Sequence, residues 1–170
     1  MCGLTNVHSV ATVVEKDIYY DSNGQVVSER CYDGDGALET ELYYSDGKLC
    51  DLPDGTPAKR CYYPDELLSI EVHFRDGKRQ DPADGGPAQR FYNPDGSLGR
   101  ESHFRNDKLQ DPPDGTPAVR EFYPSGVVQS ECHYCNGKVQ DPPDGSPAER
   151  IYRDDGSVER ETHYRNGKKA

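Results

Sequence analysis

Residues 81–110 read DPADGGPAQRFYNPDGSLGRESHFRNDKLQ, and residues 111–140 restate them as DPPDGTPAVREFYPSGVVQSECHYCNGKVQ. The same offset of thirty links Asp51, Asp81, Asp111 and Asp141, then Ala58, Ala88, Ala118 and Ala148, then Arg60, Arg90, Arg120 and Arg150. Further along each unit it links Glu71, Glu101, Glu131 and Glu161, His73, His103, His133 and His163, and Lys78, Lys108, Lys138 and Lys168. A fixed period of this length marks a repeat array, in which each unit packs only on its neighbours.

The aromatic residues expose a finer spacing. Tyr20, Tyr32 and Tyr44 are twelve apart, after which Tyr62, Phe74, Tyr92, Phe104, Phe122, Tyr134, Tyr152 and Tyr164 alternate between eighteen and twelve. The module is therefore a strand plus a turn, and every second connection carries six extra residues from the Asp-Pro-Pro-Asp-Gly-Thr-Pro segment. Pro94-Asp95-Gly96 suits a three-residue hairpin loop; Asn136-Gly137 and Asn166-Gly167 suit two-residue primed turns. Pro and Gly recur too often for a helix.

These signals predict an all-β fold: a meander of hairpins over residues 19–168, with residues 1–18 as a leader or cap. Pairing Asn93 with Ser97 and Tyr92 with Leu98 puts Tyr62, Leu68, Phe74, Tyr92, Leu98 and Phe104 on one face. The same register gives Glu101 and His103 to the other face.

The pattern resembles the MORN repeat variant, a short hairpin repeat of many bacterial proteins, some described as antitoxin components. The stretches that carry the likeness are Tyr20 to Tyr32 through Asn23-Gly24, Tyr92 to Phe104 through Pro94-Asp95-Gly96, and Tyr152 to Tyr164-Arg165-Asn166-Gly167-Lys168. The resemblance implies an elongated array in a single twisted antiparallel sheet, and a protein-interaction role.

Composition agrees with a shallow array. Only 32% of the 170 residues are hydrophobic and Trp is absent, yet 12 Tyr and 4 Phe exceed what a disordered tract carries. The formal charge of -11 repels phosphates and anionic lipid, so no nucleic-acid or membrane partner is expected. Met1-Cys2-Gly3-Leu4 lacks the features of an export signal, and a cytoplasmic protein is the expectation. Cys2, Cys31, Cys50, Cys61, Cys132 and Cys135 do not follow the repeat, which favours free thiols over a disulfide framework.

The eight residues Arg60, Arg90, Arg120, Arg150, Tyr62, Tyr92, Phe122 and Tyr152 form the candidate partner-binding set. The arginines stand two residues before each ring, either as a cation and aromatic stack or as recognition groups. The inserted loops offer an acidic comb to a basic protein partner, or pairs of carboxylates to calcium: Asp81 with Asp84, Asp111 with Asp114, Asp141 with Asp144. The periodic histidines recur once per two strands, too far apart to share a metal, and are expected as exposed cross-strand partners of Glu or Ala. Cys132-x-x-Cys135 lacks the helix N-terminus of a redox pair, and Met1-Cys2-Gly3 lacks the α/β sandwich that an N-terminal cysteine nucleophile needs. No nucleophile, base and oxyanion donor converge, so a non-enzymatic binding module without cofactors is expected, with a calcium-binding or structural repeat protein as the alternative.

Overall fold

The computed structural model describes residues 15–170. The first strands are β1 (Glu15–Tyr20), β2 (Val26–Tyr32), β3 (Leu38–Ser45) and β4 (Lys48–Leu49). Each later unit then supplies two sheet strands and one short hairpin. These are β5 (Lys59–Tyr62), β6 (Leu68–Val72), β7 (Phe74–Arg75) and β8 (Lys78–Arg79), then β9 (Gln89–Tyr92), β10 (Leu98–Ser102), β11 (Phe104–Arg105) and β12 (Lys108–Leu109). The last two units give β13 (Val119–Phe122), β14 (Val128–Cys132), β15 (Tyr134–Cys135) and β16 (Lys138–Val139), and β17 (Glu149–Tyr152), β18 (Val158–Thr162), β19 (Tyr164–Arg165) and β20 (Lys168–Lys169).

The long strands pair in the order β1-β2-β3-β5-β6-β9-β10-β13-β14-β17-β18, with β4 beside β3, as one open 12-stranded antiparallel sheet. The expected all-β hairpin array is thus the observed fold. Its first strand takes in Glu15 to Ile18, residues that the sequence reading gave to the leader; residues 1–14 of that leader lie outside the described residues.

Turn chemistry acts as expected. Asn93 N–H donates to Ser97 O and Gly96 N–H to Asn93 O, both at 2.8 Å, which leaves Pro94, Asp95 and Gly96 as the loop. Asn136 (φ 51) and Gly137 (φ 79) both lie in the left-handed region that a primed two-residue turn requires. Position 66 breaks the rule: where Gly96, Gly126 and Gly156 stand in the other units, Glu66 holds φ 64. A side chain there is strained.

The expected division of faces is corrected by a bulge. Tyr92 pairs with Leu98, but Phe91 pairs with Arg100 and Arg90 with Glu101, so Gly99 is an extra residue. One inserted residue reverses the alternation. Glu101 therefore joins Arg90 and Tyr92 on one face, and Gln89, Phe91, Arg100 and Ser102 take the other. Ser69, Gln129 and Glu159 occupy the same extra place in the other units. Phe104 is not on the sheet at all, because the chain turns out at His103 into the short hairpin. The single aromatic ladder is really two rows, one on the sheet and one in the hairpins.

The hairpins make a second ribbon. Gly77 N–H donates to Leu49 O at 2.9 Å and Asp51 N–H to Phe74 O at 3.0 Å; Gly137 to Leu109 and Asp111 to Tyr134 repeat this two units on. The main-chain N–H groups of Asn106, Asn136 and Asn166 donate to the side chains of Gln80, Gln110 and Gln140. Each hairpin is thereby tied to the one before it.

The histidines are the second correction. His73, His103 and His133 are only 6%, 4% and 5% exposed, and only His163 faces solvent. Each Nδ1 lies 2.8–2.9 Å from Oδ2 of the Asp twenty-two residues earlier: Asp51, Asp81, Asp111 and Asp141. The same Asp uses Oδ1 to accept two main-chain N–H groups, for Asp81 those of Ala88 and Phe104, each at 2.9 Å. The carboxylate so joins loop, sheet and hairpin, and it does this in all four units. Beside it Ala58, Ala88, Ala118 and Ala148 are fully buried.

Asp111→Ala should lower stability by about 3 kcal/mol, since two buried N–H groups lose their acceptor. Asp111→Asn keeps that acceptor and should lose well under half as much in chemical denaturation. Glu66→Gly should raise stability by about 1 kcal/mol through relief of the left-handed strain; no gain in the unfolding midpoint would contradict the strain reading.

Candidate functional site

The eight candidate partner-binding residues do come together, on the sheet face that also carries the periodic glutamates. Cross-strand pairs run without a break from Asp17 to Arg30, Glu41, Arg60, Glu71, Arg90, Glu101, Arg120, Glu131, Arg150 and Glu161. Every rung opposes a carboxylate to a guanidinium, the favourable cross-strand pairing. Glu41 meets Arg30 at 3.1 Å and Arg60 at 3.7 Å, Glu71 meets Arg90 at 2.8 Å, and Arg150 lies 3.2 Å from Glu131 and 2.9 Å from Glu161. Arg120 pairs with Glu101.

The rings complete the row. Tyr62 donates its hydroxyl to Glu41 at 2.6 Å, Tyr92 to Glu71 at 2.9 Å and Tyr152 to Glu131 at 2.6 Å. Phe122 has no hydroxyl to give, so Glu101 relies on its arginine. Burial, and then the hydrogen bond to a carboxylate, push the phenols of Tyr62, Tyr92 and Tyr152 up to about 12. Of the two expected roles for the arginines, cation stacking is not what the geometry shows. Among the described residues the stacked cations are Arg30 on Tyr19 and Arg79 on Phe104. Arg60, Arg90, Arg120 and Arg150 have their guanidiniums held by glutamates.

The acidic loops divide into two kinds of carboxylate. Asp81, Asp111 and Asp141 turn inward to the His and main-chain clamp. Asp84, Asp114 and Asp144 are exposed, as is Asp54, and each accepts the N–H two residues on at 2.9 Å. Hydrogen bonds from Thr56 and Thr116 hold the Asp54 and Asp114 carboxyls below the usual range, and Ser146 does so for Asp144. They are ionised at neutral pH. The paired carboxylates of a loop thus serve different ends, and among the described residues no group of three or more His, Cys, Asp or Glu is placed to hold a metal.

Between neighbouring loops lie clefts. One of roughly 580 Å³ has walls from Pro113, Pro117, Pro142 and Pro143, with Glu131, His133 and Arg150 on its floor. Cys132 sits on the opposite sheet face, where burial pushes its thiol up to about 11, while Cys135 is exposed in the hairpin. Cys2 lies outside the described residues.

Two features escaped the sequence reading: the glutamates on the aromatic face and the Asp and His clamp. The signal for the second was present, since Asp, Ala and His recur in every unit while the residue after Gly55, Gly85, Gly115 and Gly145 varies among Thr, Gly and Ser.

Against known families, the profile of the MORN repeat variant matches residues 18–33 and 118–136. Each match covers a hairpin, β1–β2 in the first case and β13–β14 with the start of the next hairpin in the second. No curated protein matches the chain. MORN repeats are in general non-catalytic modules that bind proteins or membranes.

Arg90→Glu sets three carboxylates side by side and should cost about 3 kcal/mol or more. The exchange Arg90→Glu with Glu71→Arg should recover a large part of it; a double variant no better than the single would deny the ladder its role. The phenols hold their protons more tightly when folded. Their stabilisation is therefore complete below the free value of about 10 and fades as pH rises toward 12. An ultraviolet titration should show a late phenol class that Tyr62→Phe, Tyr92→Phe and Tyr152→Phe reduce to one group, Tyr134, whose phenol burial also pushes up to about 12.

Proposed function

We propose that the chain is a non-enzymatic binding module or scaffold of the cytoplasm that recognises a basic protein along its loop edge, as an antitoxin or immunity partner does. What carries this reading is the contrast between two rows of charge. The ladder of Glu and Arg is neutralised within the sheet, so its arginines serve the fold. Asp54, Asp84, Asp114 and Asp144 stay exposed on one edge, and repeat every two strands, roughly 10 Å apart.

The loops suit this work. Each outer Asp closes its own turn, so the carboxylates are fixed before a partner arrives and little ordering remains to be done on binding. Clefts walled by proline between the loops receive side chains. The general role of MORN repeats as binding modules points the same way.

Asn in place of Asp keeps the oxygen that closes the turn and removes the charge. The variant carrying Asp54→Asn, Asp84→Asn, Asp114→Asn and Asp144→Asn should keep the circular dichroism and melting of the parent. Its capture of the partner from an extract of the native host should fall by about tenfold or more, as expected for four lost charge contacts. Capture at the parental level would rule out the loop edge as the recognition surface.

A further inference from the structure

Nearly every arginine of the large sheet has a carboxylate within 4 Å, yet the cations of the hairpin ribbon have none apart from Arg79, which meets Asp107 at 3.3 Å. In three hairpins two cations are directly opposed across the strands: Arg75 with Lys78, Arg105 with Lys108, and Arg165 with Lys168. All six are exposed. Like charges in that position destabilise a hairpin. The hairpin tips do hold Asp46, Asp76 and Asp107, but of these only Asp107 makes an ion pair, and it goes to Arg79 and to none of the six.

We propose that the exposed rail of the hairpin ribbon is a docking surface for an extended acidic segment of a partner protein, with a carboxylate at every third residue. This goes beyond the loop-edge reading and uses a different surface. The pitch decides the class of partner. Each hairpin adds two strands to the ribbon, so equivalent lysines repeat at roughly 10 Å, and one turn of an extended polyproline II segment, three residues that bring a side chain back to the same side, spans about 9 Å. Lys138 continues the rail between the paired cations of its neighbours. The tips of the last two hairpins carry no acid, with Asn136-Gly137 and Asn166-Gly167 where the earlier tips hold Asp46, Asp76 and Asp107.

The ribbon is also a firm support. The tip glycines pack on the lysine stems of the hairpin before: an added Cβ at Gly77 would lie 3.5 Å from Lys48 Cβ, and one at Gly167 would lie 3.9 Å from Lys138 Cβ. The main-chain positions of the lysines are thereby spaced by backbone hydrogen bonds.

The test uses the full chain and a twelve-residue synthetic peptide, Glu-Gly-Ser repeated four times. At low salt it should bind saturably and about fivefold tighter than a peptide of the same composition with its glutamates in one block, if pitch is read as well as charge. Lys108→Gln, Lys138→Gln and Lys168→Gln together should weaken it by about tenfold, as expected for three exposed ion pairs. These side chains are exposed and two of them leave a like-charge pair, so the melting curve should stay in place or rise slightly. The Asn variant of the loop edge should bind the peptide at least as well as the parent, which separates failure of this surface from failure of the other. Equal binding of the two peptides overturns the proposal. So does unchanged binding by the Gln variant, or a preference for phosphatidylserine vesicles or oligothymidylate over the peptide.

Discussion

A single carboxylate per unit, Asp51 and its three equivalents, holds three parts of the chain that would otherwise have little reason to meet. One oxygen takes the N–H of the alanine that opens the sheet strand and the N–H of the aromatic residue that opens the hairpin; the other oxygen takes the imidazole of the residue where the chain leaves the sheet. Buried main-chain donors need such acceptors, and loops of this length seldom supply them. With hydrophobic residues at 32% of the chain, these polar clamps do much of the fixing that an apolar core does in other folds.

The charge ladder depends on that clamp, because it needs every sheet strand in one register. A slip of one residue would set the arginines against the opposite face. Held in place, each guanidinium finds a carboxylate, and Asp17, Glu41, Glu71 and Glu131 each take a phenol as well. Six carboxylates face five guanidiniums along the ladder, so its charges nearly cancel and most of the acidic excess of the chain lies outside it.

Much of this was legible in the residues. The period located every hairpin, Asn136-Gly137 and Pro94-Asp95-Gly96 named their turns, and pairing Tyr92 with Leu98 was correct. The faces beyond that pair were not legible. Gly99 in one unit and Ser69, Gln129 and Glu159 in the others share no side-chain property that marks a bulge, and the bulge alone decides on which side Glu101 falls. The inward turn of His103 was hidden for a related reason: its partner, Asp81, looks in the sequence like any other loop acid.

Each unit brings to the ladder one carboxylate and one guanidinium, so a unit is electrically self-sufficient there. An array built this way can gain or lose whole units and keep its alternation intact at every new junction, since Arg always follows Glu. Duplication of a thirty-residue segment is then a conservative change for the ladder, although it adds a further acid to the loop edge and a further cation to the hairpin ribbon. Length becomes a means of tuning how much charge the two outer surfaces present, with the sheet between them left unaltered.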